Sequence, residues 1–280
     1  EDEKLAKAGK DNVYPTYDQL DKERNEEKAK NYLTIRNANG DIVRKLPVPA
    51  DQSGLQRLAW DLRSAAKDPV SSGGDGFYNP FAGVSEGPKV APGMYTATLT
   101  RWQDEKMTAL GESVSFEVKS LNHQVLPSAD PDAMVAFKRK AEELQRVEQA
   151  ASGAVSGALG ELGLMRKAIT TMEQPEEAWL PEVLMLEDSL KAIQRVLSGD
   201  PLLTQLDMNP TPTVSDRISR VLYESKYSNA EPTATHQMSL QIAQEQLSQV
   251  VPRVIKWVDG DFRAFRTKLQ EAGAPYIPNM

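Results

Sequence analysis

Two periodicities divide this chain. From Tyr32 the apolar positions alternate: Leu33 and Ile35 take turns with Tyr32, Thr34 and Arg36, and Ile42 and Val43 resume after Asn39-Gly40. Alternation places successive side chains on opposite faces of a strand. Asn-Gly between two such runs marks a hairpin, because both residues tolerate positive φ. A third run sets Leu58, Trp60 and Leu62 against Arg57, Ala59, Asp61 and Arg63, with Trp60 expected in the core. Tyr95, Ala97 and Leu99 then alternate with threonines, and Val114, Phe116 and Val118 with Ser113, Ser115 and Glu117. Five or more such strands separated by turn residues predict a sheet sandwich.

Beyond Asn122 the period becomes helical. Asp130 followed by Pro131 reads as an N-cap with proline at the first helical position. From there Met134, Phe137, Ala141, Leu144, Ala151, Val155, Leu159, Leu162, Ile169 and Met172 form one stripe at three- and four-residue steps. The helix so predicted has about 40 residues and a length of roughly 60 Å. A second helix is expected over 181–197, with Val183, Leu186, Leu190, Ile193 and Leu197 inward. A short third follows the capping segment Thr213–Asp216, and a last long one covers about 235–272, bent at Pro252. The expected architecture is therefore α+β and multidomain: a charged, partly helical connector over 1–30, an N-terminal antiparallel immunoglobulin-like β-sandwich over 31–122, and an antiparallel helical bundle over 130–280.

Composition narrows the function. A net charge of −7, a pI near 5.1 and lysines and arginines interspersed with acids throughout argue against a duplex nucleic-acid binder, which needs a basic face. With no cysteine, disulfides, thiolate catalysis and cysteine metal sites are excluded. No run approaches the roughly 18–20 apolar residues of a transmembrane segment. The opening EDEKLAKAGKDN has neither an initiator Met nor a signal peptide, so the chain is expected to be a piece of something longer.

Taken together, the landmarks resemble the C-terminal region of large secreted bacterial proteins built on sortilin-like (BNR-repeat) β-propellers, often labelled glycosyl hydrolases. The hairpin Leu33–Leu46, GLQRLAWDLR at Gly54–Arg63, PGMYTATL at Pro92–Leu99, DRISRVL at Asp216–Leu222 and EAGAPYIP at Glu271–Pro278 carry the likeness, which spans about 32–280. The segment 153–163 is richer in glycine than that pattern. The resemblance implies an extracytoplasmic accessory unit behind a propeller of the same protein. It implies no catalytic residue here, since a glycosidase site would lie on the propeller.

No candidate chemistry competes strongly with that reading. Ser64-Ala65-Ala66-Lys67 with Tyr227-Ser228-Asn229 has the outline of a serine penicillin-binding enzyme, where a lysine activates the serine, but no K-T-G-like strand accompanies it. His123 and His236 are the only histidines, too few for a zinc site and without a triad context. Glu142-Glu143 and Glu176-Glu177 are adjacent, so each pair diverges on a helix. Gly153, Gly157, Gly160 and Gly163 read as close packing against a neighbouring helix or as a local break. Neither a cofactor nor a metal is called for. The candidate recognition surface is aromatic: Phe77, Tyr78 and Phe81 in the Gly/Pro-rich loop 71–92, with Trp102 at a hairpin tip. Such rings either stack on a glycan or peptide partner or dock against another domain.

Overall fold

The computed structural model describes residues 2–9, 15–26, 29–49, 54–67, 86–103, 105–121, 130–173, 175–206, 208, 210–226, 228 and 230–277. The chain divides into two compact units, one formed by Glu1–Asp61 with Gly93–Val118 and the other by Leu62–Pro92 with Lys119–Met280.

The first unit holds two short helices, α1 (Asp2–Lys7) and α2 (Tyr17–Asn25), and strands β1 (Lys30–Asn37), β2 (Ile42–Val48), β3 (Gly93–Gln103), β4 (Lys106–Ala109) and β5 (Val114–Val118). Helix α2 is exposed throughout and opens on a capping box between Thr16 and Gln19. All strand pairings are antiparallel, in the order β2-β1-β3-β4, with β5 also on β3. Strands β4 and β5 follow one another along the same edge of β3, separated by Leu110–Ser113, where Ser113 reaches back to Thr98 through a 2.6 Å hydroxyl contact. The β1–β2 hairpin turns at Asn37–Asp41. Gly40 adopts φ +86° there, and the Asn37 side chain accepts from the Asn39 and Asp41 amides.

The run expected as a third strand is not one. Residues 54–62 join no ladder, and Leu58 and Leu62 are exposed. Leu62 is held at φ +59°, a left-handed conformation no regular strand accommodates, while its carbonyl accepts from the Val90 amide. Trp60 is half-buried, lying edge-on against Tyr95 (5.6 Å) and Phe116 (6.0 Å). The five strands described form a single sheet.

The second unit is helical: α3 (Pro131–Thr171), α4 (Trp179–Leu197), α5 (Pro201–Gln205), α6 (Val214–Ser225), α7 (Ala234–Ile255), a π turn (Lys256–Asp261) and α8 (Phe262–Glu271). Helix α3 is one uninterrupted element of 41 residues, capped by the Asp130 carboxylate on the Ala133 amide. It packs on α4, α6, α7 and α8. All five inward residues expected on α4 are buried, with Trp179 added at its first turn. The α6 start is fixed by a reciprocal Thr213–Asp216 capping box.

The last helix is continuous through Pro252 and changes register at the π turn, where the Phe262 amide donates to Trp257, five residues back. That extra residue puts Asp259, Gly260 and Asp261 outside and rephases the stripe so that Phe262, Phe265 and Leu269 are buried. One expectation for α3 is corrected: the helix is unbroken at its glycines, and three of the four do not pack closely. Gly153, Gly157 and Gly163 are exposed, and a Cβ built on any of them meets no atom within 4 Å. Among the described residues no helix is long and apolar enough to cross a membrane.

Candidate functional site

Of the four aromatic residues expected to form a recognition surface, Phe77, Tyr78 and Phe81 lie outside the described residues, as does His123. Trp102 is near the end of β3, opposite Lys30 on β1 and Met107 on β4, and is half-buried. The S-x-x-K outline does not assemble through its lysine: Lys67 Nζ is engaged by Glu143 at 3.4 Å, and Ser64 is buried against Pro88. His236 is hydrogen-bonded locally, 2.7 Å from Glu224. Glu142 and Glu143 diverge as their spacing requires: Glu143 holds Arg146 and Lys67, while Glu142 lines a different pocket. Among the described residues no group of three His, Asp or Glu side chains converges as a metal site would.

Two features stand out instead. The first is a row of leucines across the sheet. In an antiparallel ladder, directly opposed residues share a face. Leu33 opposes Leu46 on β2 and Leu99 on β3, and the Leu110 amide donates to the Leu99 carbonyl at 2.8 Å, which carries the row one strand further. One step along β3, Ala97 opposes Val114 on the same face. The Tyr95–Phe116 end of this face is covered by Trp60 and Ile35 is wholly buried, but Leu99, Leu110 and Val114 are 38%, 43% and 66% exposed. The sheet thus has an apolar corner that runs from β3 to its edge strand β5, where soluble proteins usually place charge. Trp102, an odd number of residues from Leu99 in a regular ladder, belongs to the opposite, threonine-lined face.

The second feature lies within the helical unit, around Lys138. Four residues from Met134, which shares the buried stripe of α3, Lys138 is carried inward and is only 5% exposed. Its ammonium donates one hydrogen bond, to the Ser228 carbonyl at 2.8 Å. The charged groups pressing on it are Arg63 and Lys89; burial first, and then these two cations, hold its pKa below the usual lysine value. Arg63 is itself buried, with Nε 3.3 Å from Glu86 and Nη1 donating to the Gly87 carbonyl. Residues 63–64 are fastened to 87–89 by a short antiparallel bridge. The approach there is so close that a Cβ on Gly87 would fall 2.4 Å from Ser64 Oγ and 2.7 Å from the Ala65 carbonyl. Beside these groups is an open cavity of about 190 Å³, lined also by Glu142, Tyr223 and Lys226. An ammonium taken out of water without a carboxylate partner costs several kcal/mol, so an arrangement of this kind calls for explanation. The sequence signal was faint: a lysine four residues after Met134, inside an apolar stripe, is the one cue it offered.

No family model, curated protein or solved structure matches the chain.

Proposed function

We propose that this chain is a non-catalytic accessory unit that docks, through the apolar corner of its sheet, onto another domain of the same exported protein. The partner in this reading is an upstream β-propeller of the sortilin-like kind that the sequence resembles. The observation that carries it is the leucine row: Leu99 on β3, Leu110 in the β4–β5 connection and Val114 on the edge strand β5 leave apolar side chains exposed on a face whose other end is already packed under Trp60. Burying exposed apolar area yields about 25 cal/mol per Å², and an edge position leaves backbone groups for the partner as well.

The finer architecture belongs to the same proposal. The sheet is one layer of an immunoglobulin-like sandwich, with the Trp60 segment packed on its inner face, and α3, α4, α6 and α7 make an antiparallel bundle that stiffens the region. Capture of a glycan or peptide through Trp102 would use the other face of the sheet, so the two uses separate by mutation. The test is the full-length gene product carrying Leu110→Ser and Val114→Thr. Limited proteolysis is expected to cut that variant faster at the junction with the neighbouring domain. Unchanged cleavage in a folded variant removes the docking reading.

A further inference from the structure

We infer that the cavity around Lys138 is a binding site for an oxyanion of the phosphate class. The inference is independent of the docking surface, which is part of the other unit. Three cationic side chains line the cavity, Arg63, Lys138 and Lys226, against two carboxylates, Glu86 and Glu142, and Lys89 adds a further positive charge close by. The distribution of partners matters more than the count. Glu86 is engaged by Arg63, and the Lys138 ammonium by the Ser228 carbonyl. Lys138 is therefore a buried ammonium whose one hydrogen bond among the described residues goes to a neutral carbonyl, and the charges that bear on it most are the cations Arg63 and Lys89. An ammonium has three donors, so two remain for a ligand.

The geometry is built rather than accidental. The guanidinium of Arg63 is positioned twice, by Glu86 and by the Gly87 carbonyl, and the bridge that holds it requires glycine at 87. Lys138 is positioned by a rigid 41-residue helix and by Ser228. The cavity volume, about 190 Å³, is several times the roughly 30 Å³ that a water occupies, and so admits a tetrahedral oxyanion with residual solvent. A planar guanidinium beside a point-charge ammonium is a combination suited to phosphate oxygens. The burial that depresses the lysine also strengthens its attraction to an anion once one enters.

The test is a titration of the whole chain at fixed ionic strength, read by backbone amide chemical shifts. Inorganic phosphate, glycerol 3-phosphate and acetate are added in separate arms. Saturable shifts centred on Gly87, Ser225 and Lys226 are expected with the two phosphates, and binding at least tenfold weaker in Lys138→Met. Lys191→Met, which removes a surface partner of Glu187 on α4, is expected to bind as the wild type does. Equal affinity for phosphate and its ester identifies the free ion as the ligand, and a tighter ester identifies the phosphoryl group of a larger molecule. Should Lys138→Met fail to fold, Lys226→Ala at the cavity wall provides the second variant, with at least threefold weaker binding expected. Shifts that never saturate, that scatter over the surface, that acetate reproduces at equal affinity, or that persist unchanged in the folded variants overturn the inference.

Discussion

Thr34 and Thr100 join their hydroxyls at 2.9 Å across β1 and β3, both buried on the face of the sheet opposite the leucine row. Their roles are not equivalent. The Thr100 hydroxyl hydrogen is committed to the Tyr32 carbonyl at 3.2 Å, so Thr34 donates and Thr100 accepts. Thr100→Val strands a buried donor and is expected to cost about 1–3 kcal/mol. Thr34→Val leaves only an acceptor lone pair unused and should cost less. The double valine variant, with no hydroxyl left to satisfy, should be more stable than Thr100→Val alone. Chemical denaturation of the three variants checks the order, and equal costs for the two single substitutions would contradict it.

The glycines of α3 offer a second prediction. Gly153 and Gly157 are exposed and helical, with room for a methyl group. Alanine at either is expected to stabilise the chain by about 0.5–1 kcal/mol, because glycine loses more backbone freedom on folding. At the scale of this chain that corresponds to roughly 1–4 °C in the thermal midpoint. A fall in midpoint would mean that the helix is packed more tightly at these positions than the structure shows.

Glu148 is buried on α3, and its carboxylate accepts one hydrogen bond, from Ser152 at 2.8 Å. Burial raises its pKa above 4.5 and the Ser152 bond opposes that only in part. Between 4.5 and the raised value the folded chain binds more protons than the unfolded chain, so this group's contribution to stability falls as pH rises through that window. Glu148→Gln should remove the fall. The variant is expected to gain on the wild type between pH 4 and pH 7 in paired unfolding curves, and a constant difference across that range would refute the assignment.

Trp102 tests which face of the sheet works. Docking through Leu99, Leu110 and Val114 predicts that Trp102→Ala leaves the proteolytic resistance of the full-length product unchanged. Polysaccharide affinity electrophoresis of the same variant should match the wild type. Retardation that depends on Trp102 would move the function to the threonine-lined face.

The helical half was largely legible because its signals are local. Asp130-Pro131, the Thr213–Asp216 box and the apolar stripe of α4 each act within a few residues, and the structure follows them. The π turn was not legible, since Pro252 advertises a bend while the register shift is imposed by the need to bury Phe262 and Phe265 instead of Asp259 and Asp261. In the sheet half, Leu58, Trp60 and Leu62 alternate as a strand would, yet no partner strand takes them up and Leu62 turns left-handed. Periodicity reports which residues share a face but not whether a ladder exists to receive them. The Lys138 cavity draws on residues 63, 86–88, 138–145 and 222–226, a convergence no local pattern encodes.

The measurement that bears most directly on the central claim is amide hydrogen exchange over 97–116, taken on the isolated chain and on the full-length gene product under identical conditions. Docking through the apolar corner predicts added protection at Leu99, Leu110 and Val114 in the full-length product, and none at Trp102 or Met107. Identical exchange in the two samples would contradict the account and leave the corner as ordinary exposed surface.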